Sequence, residues 1–308
     1  MYKKGKVIYM VSESVVKAMM EISALSFVVP FAFVIIWKMR YRKSIVPSLT
    51  GALVFLTSGI ILKSVPNLLF LSVDSPVSRF LKENIWAYAI YGGLSAGIFE
   101  EMGRYVAFKL FLSRHDYRES SVAYGLGHGG IECMAVLGFA MLQNFTYAQL
   151  INAGKMEEVI STFPDESAKA VFRDLQEAII NMTVQDCIWA GVERLSALAL
   201  QVSLSVLVYQ AARIQNKKHF LVIAILLHSL IDVFAVFGQQ GIMSVAATEI
   251  VILVYALIVS VFAYKIYVNL PHDKGKSTES RNNWAFASKK LEKGNSMDNG
   301  STGGNNGK

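Results

Sequence analysis

The chain has 308 residues, of which 53% are hydrophobic and only 17% charged, with a formal net charge of +7. Mean hydropathy is +0.40, so there is too little polar surface to cover a soluble globule. The basic excess does not point to nucleic acid, because Lys and Arg sit mainly in short loops between apolar blocks, the pattern of membrane topology.

The apolar blocks are of span length and predict an all-α integral membrane protein, a polytopic bundle of about seven transmembrane helices around a buried polar site. The first span is expected at Ile22–Trp37, with Pro30 as a potential kink, and the second at Val46–Leu62. Residues 65–84, with Pro66 and Pro76, alternate apolar and polar groups and read as an interfacial stretch. Spans three and four are expected at Ile85–Leu112 and Ser121–Phe145. A polar segment at 146–182 then reads as one or two amphipathic helices. Spans five to seven are expected at Asp186–Ala211, Phe220–Gly238 and Ser244–Tyr267.

This divides the chain into an N-terminal part (1–84), a membrane core (85–240), a C-terminal span (241–268) and a disordered cytoplasmic tail (269–308) rich in Lys, Ser, Asn and Gly. Val7–Met10 is too short for the apolar region of a cleavable signal peptide. Cys133 and Cys187 lie in or beside apolar blocks and read as buried thiols.

Loop charge fixes the expected orientation. Lys38, Arg40, Arg42 and Lys43 follow span one, Arg114 and Arg118 follow span three, and Arg213, Lys217 and Lys218 follow span five. These loops belong in the cytoplasm, and the acidic 146–182 segment outside, which gives a plasma (cell) membrane protein with its N-terminus out and its C-terminus in. Lys3, Lys4 and Lys6 oppose this arrangement and are outvoted.

Charges also occur inside the predicted spans: Glu100, Glu101 and Arg104 in the third, His128 and Glu132 in the fourth, Glu193 and Arg194 in the fifth, His228 and Asp232 in the sixth. A charge at a helix centre costs about 2.5–3.5 kcal/mol, whereas a large apolar residue returns about 0.3–0.6 kcal/mol. Such groups must face the bundle interior and pair. Glu100 and Arg104 are four apart, acid before base, which predicts that they pair. Glu101 lies about 100° round the helix and is left for another partner. Counted from the cytoplasmic helix ends, Glu101, His128 and His228 lie roughly 10–17 Å deep. Glu193–Arg194 lies deeper and reads as a separate polar pair.

Three stretches then combine: Glu100-Glu101-Met102-Gly103-Arg104, Tyr124-Gly125-Leu126-Gly127-His128 and His228-Ser229-Leu230-Ile231-Asp232. In order and residue type they resemble the three motifs of the CPBP (CAAX-processing and bacteriocin-processing, or Abi) intramembrane proteases. The continuation His128-Gly129-Gly130-Ile131-Glu132 brings the resemblance closer to the YhfC-type branch of membrane peptidases. The resemblance covers roughly residues 85–240. It implies hydrolysis of a peptide bond in a membrane-associated protein or peptide, with the lipid bilayer as surroundings.

By that resemblance a Glu and His128 activate water, His228 and Asp232 stabilise the oxyanion or complete the polar cage, and Arg104, Tyr124 and Glu132 orient the site. The family's Arg follows the double Glu after three intervening residues, and here after two. The family pattern puts the catalytic Glu first, whereas the i,i+4 argument favours Glu101 as base; Glu100 and Glu101 both stand as candidates. Related enzymes have been read as metal-dependent and as glutamate-dependent. Glu101, His128 and His228 are a competent set for zinc or another divalent metal, but no HExxH spacing settles it. Two other readings of the buried charges are a proton-coupled transporter and a non-catalytic scaffold. Gly93-Leu94-Ser95-Ala96-Gly97 matches a nucleophile elbow in letters only, since that motif needs a preceding strand.

Overall fold

The computed structural model describes residues 10–271, and within them every regular element is a helix. Residues before Met10, with the N-terminal lysines, and the tail beyond Pro271 lie outside the described residues.

Helix α1 (Glu13–Tyr41) starts where the Ser12 hydroxyl accepts from the Val15 N–H, and it ends as Arg42 turns left-handed at φ 51°. Helix α2 runs Val46–Ser72 and contains two stretches of wider, π-type turns at Phe55–Leu62 and Leu68–Ser72. The second apolar segment is therefore longer than expected, since residues 65–72 of the supposed interfacial stretch continue the helix. Pro66 lies between the two π stretches and has no N–H to give, and wider turns absorb the mismatch.

Helix α3 (Pro76–Glu83) begins on Ser75, with proline at its first position. Helix α4 (Ile85–Val106) is capped by Asn84 and is prolonged by a π turn at Ala107–Phe111. Helix α5 spans Glu119–Asn152, with a π turn at Met134–Gly138. Two short helices follow, α6 (Met156–Ser161) and α7 (Glu166–Asn181). A reciprocal Thr183–Asp186 capping box opens α8 (Val184–Arg213). Helices α9 (His219–Gln239) and α10 (Val245–Asn269) complete the described chain.

Six helices (α1, α2, α5, α8, α9 and α10) are long and apolar enough to cross a membrane. They make this an integral, multi-pass membrane protein. Their outward faces carry exposed Phe31, Ile35, Leu53, Leu226, Leu257 and Val261, a surface suited to lipid and costly in water. Helix α4, expected as one of seven spans, is long enough at 22 residues but is not among the six. Its charges lower its hydropathy, and packing compensates for them. Helix α9 lies along one side of α4, and a Cβ at Gly93 or Gly97 would overlap the Ser229 main chain or side chain. The elbow-like stretch is thus a helix-packing surface.

Helix α2 approaches α5 as closely, because a side chain at Gly127 would collide with the Ser48 backbone. One apolar core, around Phe108, Tyr124, Leu204 and Leu207, lies beyond the buried charges toward the ends of α4 and α8. A second core joins the start of α1 and the end of α5 to α6 and α7 through Met19, Met141, Ile160 and Ile179.

Candidate active site

Helices α4, α5, α8 and α9 converge on one buried polar cluster. Glu100 and Glu101 on α4, His128 on α5 and His228 on α9 are each at most 4% exposed. Their separation in sequence is bridged by bundle packing, and nothing local to any one helix creates the site.

Glu100 stands at the centre. Its Oε2 lies 3.0 Å from Nε2 of His128 and 3.9 Å from Nε2 of His228. Gln201 Nε2 approaches the same oxygen at 3.4 Å. On the other carboxylate oxygen, Lys63 Nζ lies 3.8 Å away. The Tyr124 ring stacks on His128 at 5.8 Å and Phe55 meets the imidazole edge-on at 5.3 Å, so the ring is held on two sides.

Glu101 has a different place. Its Oε1 lies 2.7 Å from His228 Nδ1 and 3.4 Å from the Arg104 guanidinium. Arg104 is fully buried. It donates to the Gln201 carbonyl at 2.8 Å, to Ser205 Oγ at 3.0 Å and to the Gln201 side chain. The expected Glu100–Arg104 pair is therefore corrected to Glu101–Arg104. Residues three and four apart both neighbour on a helix, and the acceptors on α8 draw the guanidinium to the Glu101 side. Glu101 is correspondingly turned to His228 and does not line the cavity, whereas Glu100 does. Glu101 buttresses His228, and Glu100 is the carboxylate that meets both imidazoles. With Nδ1 given to Glu101, His228 turns Nε2 toward Glu100 and toward Asp232, 3.9 Å away.

Glu193–Arg194 is likewise not a separate pair. Arg194 contacts Glu193 and also donates to Glu132 Oε1 at 3.2 Å. Gln201 Nε2 holds the other Glu132 oxygen at 2.7 Å. Glu132 thus sits between an arginine and an amide at the edge of the cluster.

The ligand atoms of Glu100, His128 and Glu132 lie within 4.8 Å of one another. This is a different grouping from the Glu101, His128 and His228 set expected from sequence, because Glu101 is engaged behind His228. Two carboxylates and an imidazole are donors that zinc accepts. His128 Nδ1 is buried without a partner, so the ring retains capacity beyond its contact with Glu100. Gln201 and Arg194 hold Glu132 from behind, as partners of metal ligands do. The residues present fit a divalent ion.

A cavity of 300 Å³ gives access to the cluster. Glu100, His228 and Asp232 form part of its wall, as do Glu132, Arg194, Lys63 and Ser95. A larger apolar groove between α1, α5, α8 and α10 lies away from these groups. Sequence reasoning missed Lys63, Gln201 and Ser205. The available signals were a lone cation inside the apolar 46–73 stretch, and two polar residues four apart in span five.

A sequence model of the YhfC intramembrane metalloproteases matches residues 25–254. The YhfC protein of Bacillus subtilis (strain 168), described as an uncharacterized membrane protein, is 33% identical over 258 residues. That alignment covers 83% of this chain and 97% of the relative. No solved structure matches the chain.

Proposed function

Because this chain belongs to the YhfC intramembrane metalloprotease family, we propose that it is an intramembrane endopeptidase that hydrolyses a peptide bond of a membrane-associated protein or peptide. The observation that carries this reading is the Glu100 carboxylate facing His128 at 3.0 Å and His228 at 3.9 Å beside a polar cavity. Such a carboxylate can hold a water and take its proton, a contribution of about 10²–10⁴-fold in rate.

In this reading Glu100 is the general base. Its position, first of the two acids, agrees with the CPBP pattern that the motifs resemble. His128 orients the same water from the opposite side. His228, held at Nδ1 by Glu101, directs Nε2 to the reacting carbonyl, and with that nitrogen protonated it donates to the developing oxyanion, while Asp232 lies 3.9 Å from the same nitrogen and favours its protonated form. Arg104 holds Glu101 in place. The proton held by Glu100 then passes to the leaving amine, which completes the hydrolysis. Glu100, His128 and Glu132 would hold a zinc or similar ion. Such an ion, when bound, polarises a carbonyl and makes water more acidic.

The test is cleavage of a panel of membrane peptides by detergent-purified protein, alongside Glu100→Gln and His128→Ala. Both variants should fold and fail to cleave. Full activity in either removes the assignment, and substrate-dependent proton flux through the wild type in vesicles would favour the transporter reading instead.

A further inference from the structure

The cavity that reaches Glu100 is one-sided. On every helix that lines it, the lining residues lie on the same side of the cluster. On α2 they start at Phe55, which packs on His128 within the cluster, and continue through Lys63 to Leu71, toward the helix end at Ser72. On α4 they run from Ala96 back to Tyr88, toward its start at Ile85, and none comes from beyond Glu100. On α9 they run from His228 to Gln239, the last residue of the helix. On the other side the cluster is closed by Arg104, Phe108, Leu112 and Tyr124, all fully buried.

The closed side is the basic one. There Lys43 lies over the Tyr117 ring at 4.6 Å, Arg213 donates to the Leu112 carbonyl at 2.5 Å, and Arg118 stacks on Tyr267 at 4.8 Å. These contacts gather the ends of α1, α4, α8 and α10 on one face. The positive charge of its loops marks that face as cytoplasmic. The mouth of the cavity is at the opposite helix ends, where Trp86 packs on Phe237 at 4.7 Å. The acidic α6–α7 segment leaves the bundle from the far end of α5, where Asn152 clamps the Val11 backbone at the start of α1.

We infer that the catalytic cavity opens to the extracytoplasmic side, and that the substrate is a membrane segment whose scissile bond reaches the cluster through that outer mouth. The second clause rests on the peptidase reading, whereas the first rests only on the placement of the cavity and the charge of the loops. The outer half of α2 suits the wall of such a mouth, since Lys63–Ser72 has no buried residue and Lys63 stands over Glu100 at its inner end.

Two experiments separate the clauses. A membrane-impermeant maleimide is applied to intact cells and to inverted vesicles carrying full-length protein with Leu71→Cys or Gln239→Cys at the mouth. Lys155→Cys, Arg114→Cys and Lys218→Cys serve as face markers, and the native Cys133 and Cys187 are buried. The mouth cysteines should label in intact cells together with Lys155→Cys, while Arg114→Cys and Lys218→Cys label only in inverted vesicles. Labelling of the mouth with the Arg114 side, from both sides or from neither overturns the inference, as does a cytoplasmic Lys155→Cys.

In the second experiment, the same cleavable membrane peptide is added to intact cells, which present the outer face, and to inverted vesicles, which present the cytoplasmic face. Cleavage confined to intact cells supports the substrate assignment, and equal cleavage or cleavage confined to inverted vesicles overturns it. If neither preparation cleaves it while the labelling is as expected, the peptidase reading falls and the outward cavity stands.

Discussion

Glu101 Oε1 lies 2.7 Å from Nδ1 of His228, and through that contact a carboxylate with no view of the cavity sets the direction of an imidazole that has one. The same carboxylate neutralises the fully buried Arg104 at 3.4 Å. The two acids of the motif therefore divide their tasks. Glu101→Gln should lower stability by about 3–5 kcal/mol, because it leaves Arg104 uncompensated in the interior. Glu100→Gln should stay folded, since its cationic neighbour Lys63 is 31% exposed and keeps access to solvent. Thermal unfolding of the two purified variants is the measurement, and equal loss of stability would contradict the division. Arg104→Ala should destabilise alone and less so when combined with Glu101→Gln.

His128→Ala and His228→Ala should each cost at least about 10²-fold in peptide hydrolysis while expression stays near wild type. His128 can be buried neutral, so its removal uncovers no obligatory charge, and at His228 the Glu101 carboxylate is still met by Arg104. For His128 the rings of Tyr124 and Phe55 bound the space that is left. The comparison of initial rates with the yield of monodisperse protein decides the point. A folded, fully active variant at either position would be incompatible with water orientation by His128 and oxyanion stabilisation by His228.

Metal content offers a readout independent of turnover. If Glu100, His128 and Glu132 form the ion site, purified wild-type protein should retain a divalent metal through gel filtration. Glu132→Ala and His128→Ala should lose it, whereas Glu101→Gln should lose less, because Glu101 is engaged with Arg104 and His228. Elemental analysis of the four proteins tests this. Metal retained equally by all four would move the ion elsewhere or remove it from the account.

The helical character and the identity of the site helices were legible because the cost of burying charge in lipid leaves few places for Glu, His and Arg. Counting residues from basic helix ends grouped Glu101, His128 and His228, and the bundle pairs Glu101 with His228 and Glu100 with His128. What stayed hidden were choices between near neighbours. Arg104 can reach either acid along its helix, and the decision comes from Gln201 and Ser205, nearly a hundred residues away on α8. Arg194 adjoins Glu193 in sequence, which masked its bond across the bundle to Glu132. The extent of α2 was hidden by Pro66, because a proline ordinarily signals a helix end and here sits between π turns.

The topology turns on α4, the 22-residue helix that is not among the six apolar ones. If it crosses the membrane, Lys82 at its start and Arg114 beyond its end lie on opposite sides. Both residues are exposed, so cysteines there can be labelled without disturbing the core. The burial of Glu100, Glu101 and Arg104 among α5, α8 and α9 argues that α4 crosses inside the bundle. Its charges are met by protein groups, and lipid need not solvate them. An impermeant thiol reagent should therefore reach Lys82→Cys in intact cells and Arg114→Cys only in inverted vesicles. Labelling of both from one side would reduce the crossings to the six apolar helices. It would also reverse the sidedness of α5, and with it the outward opening of the cavity.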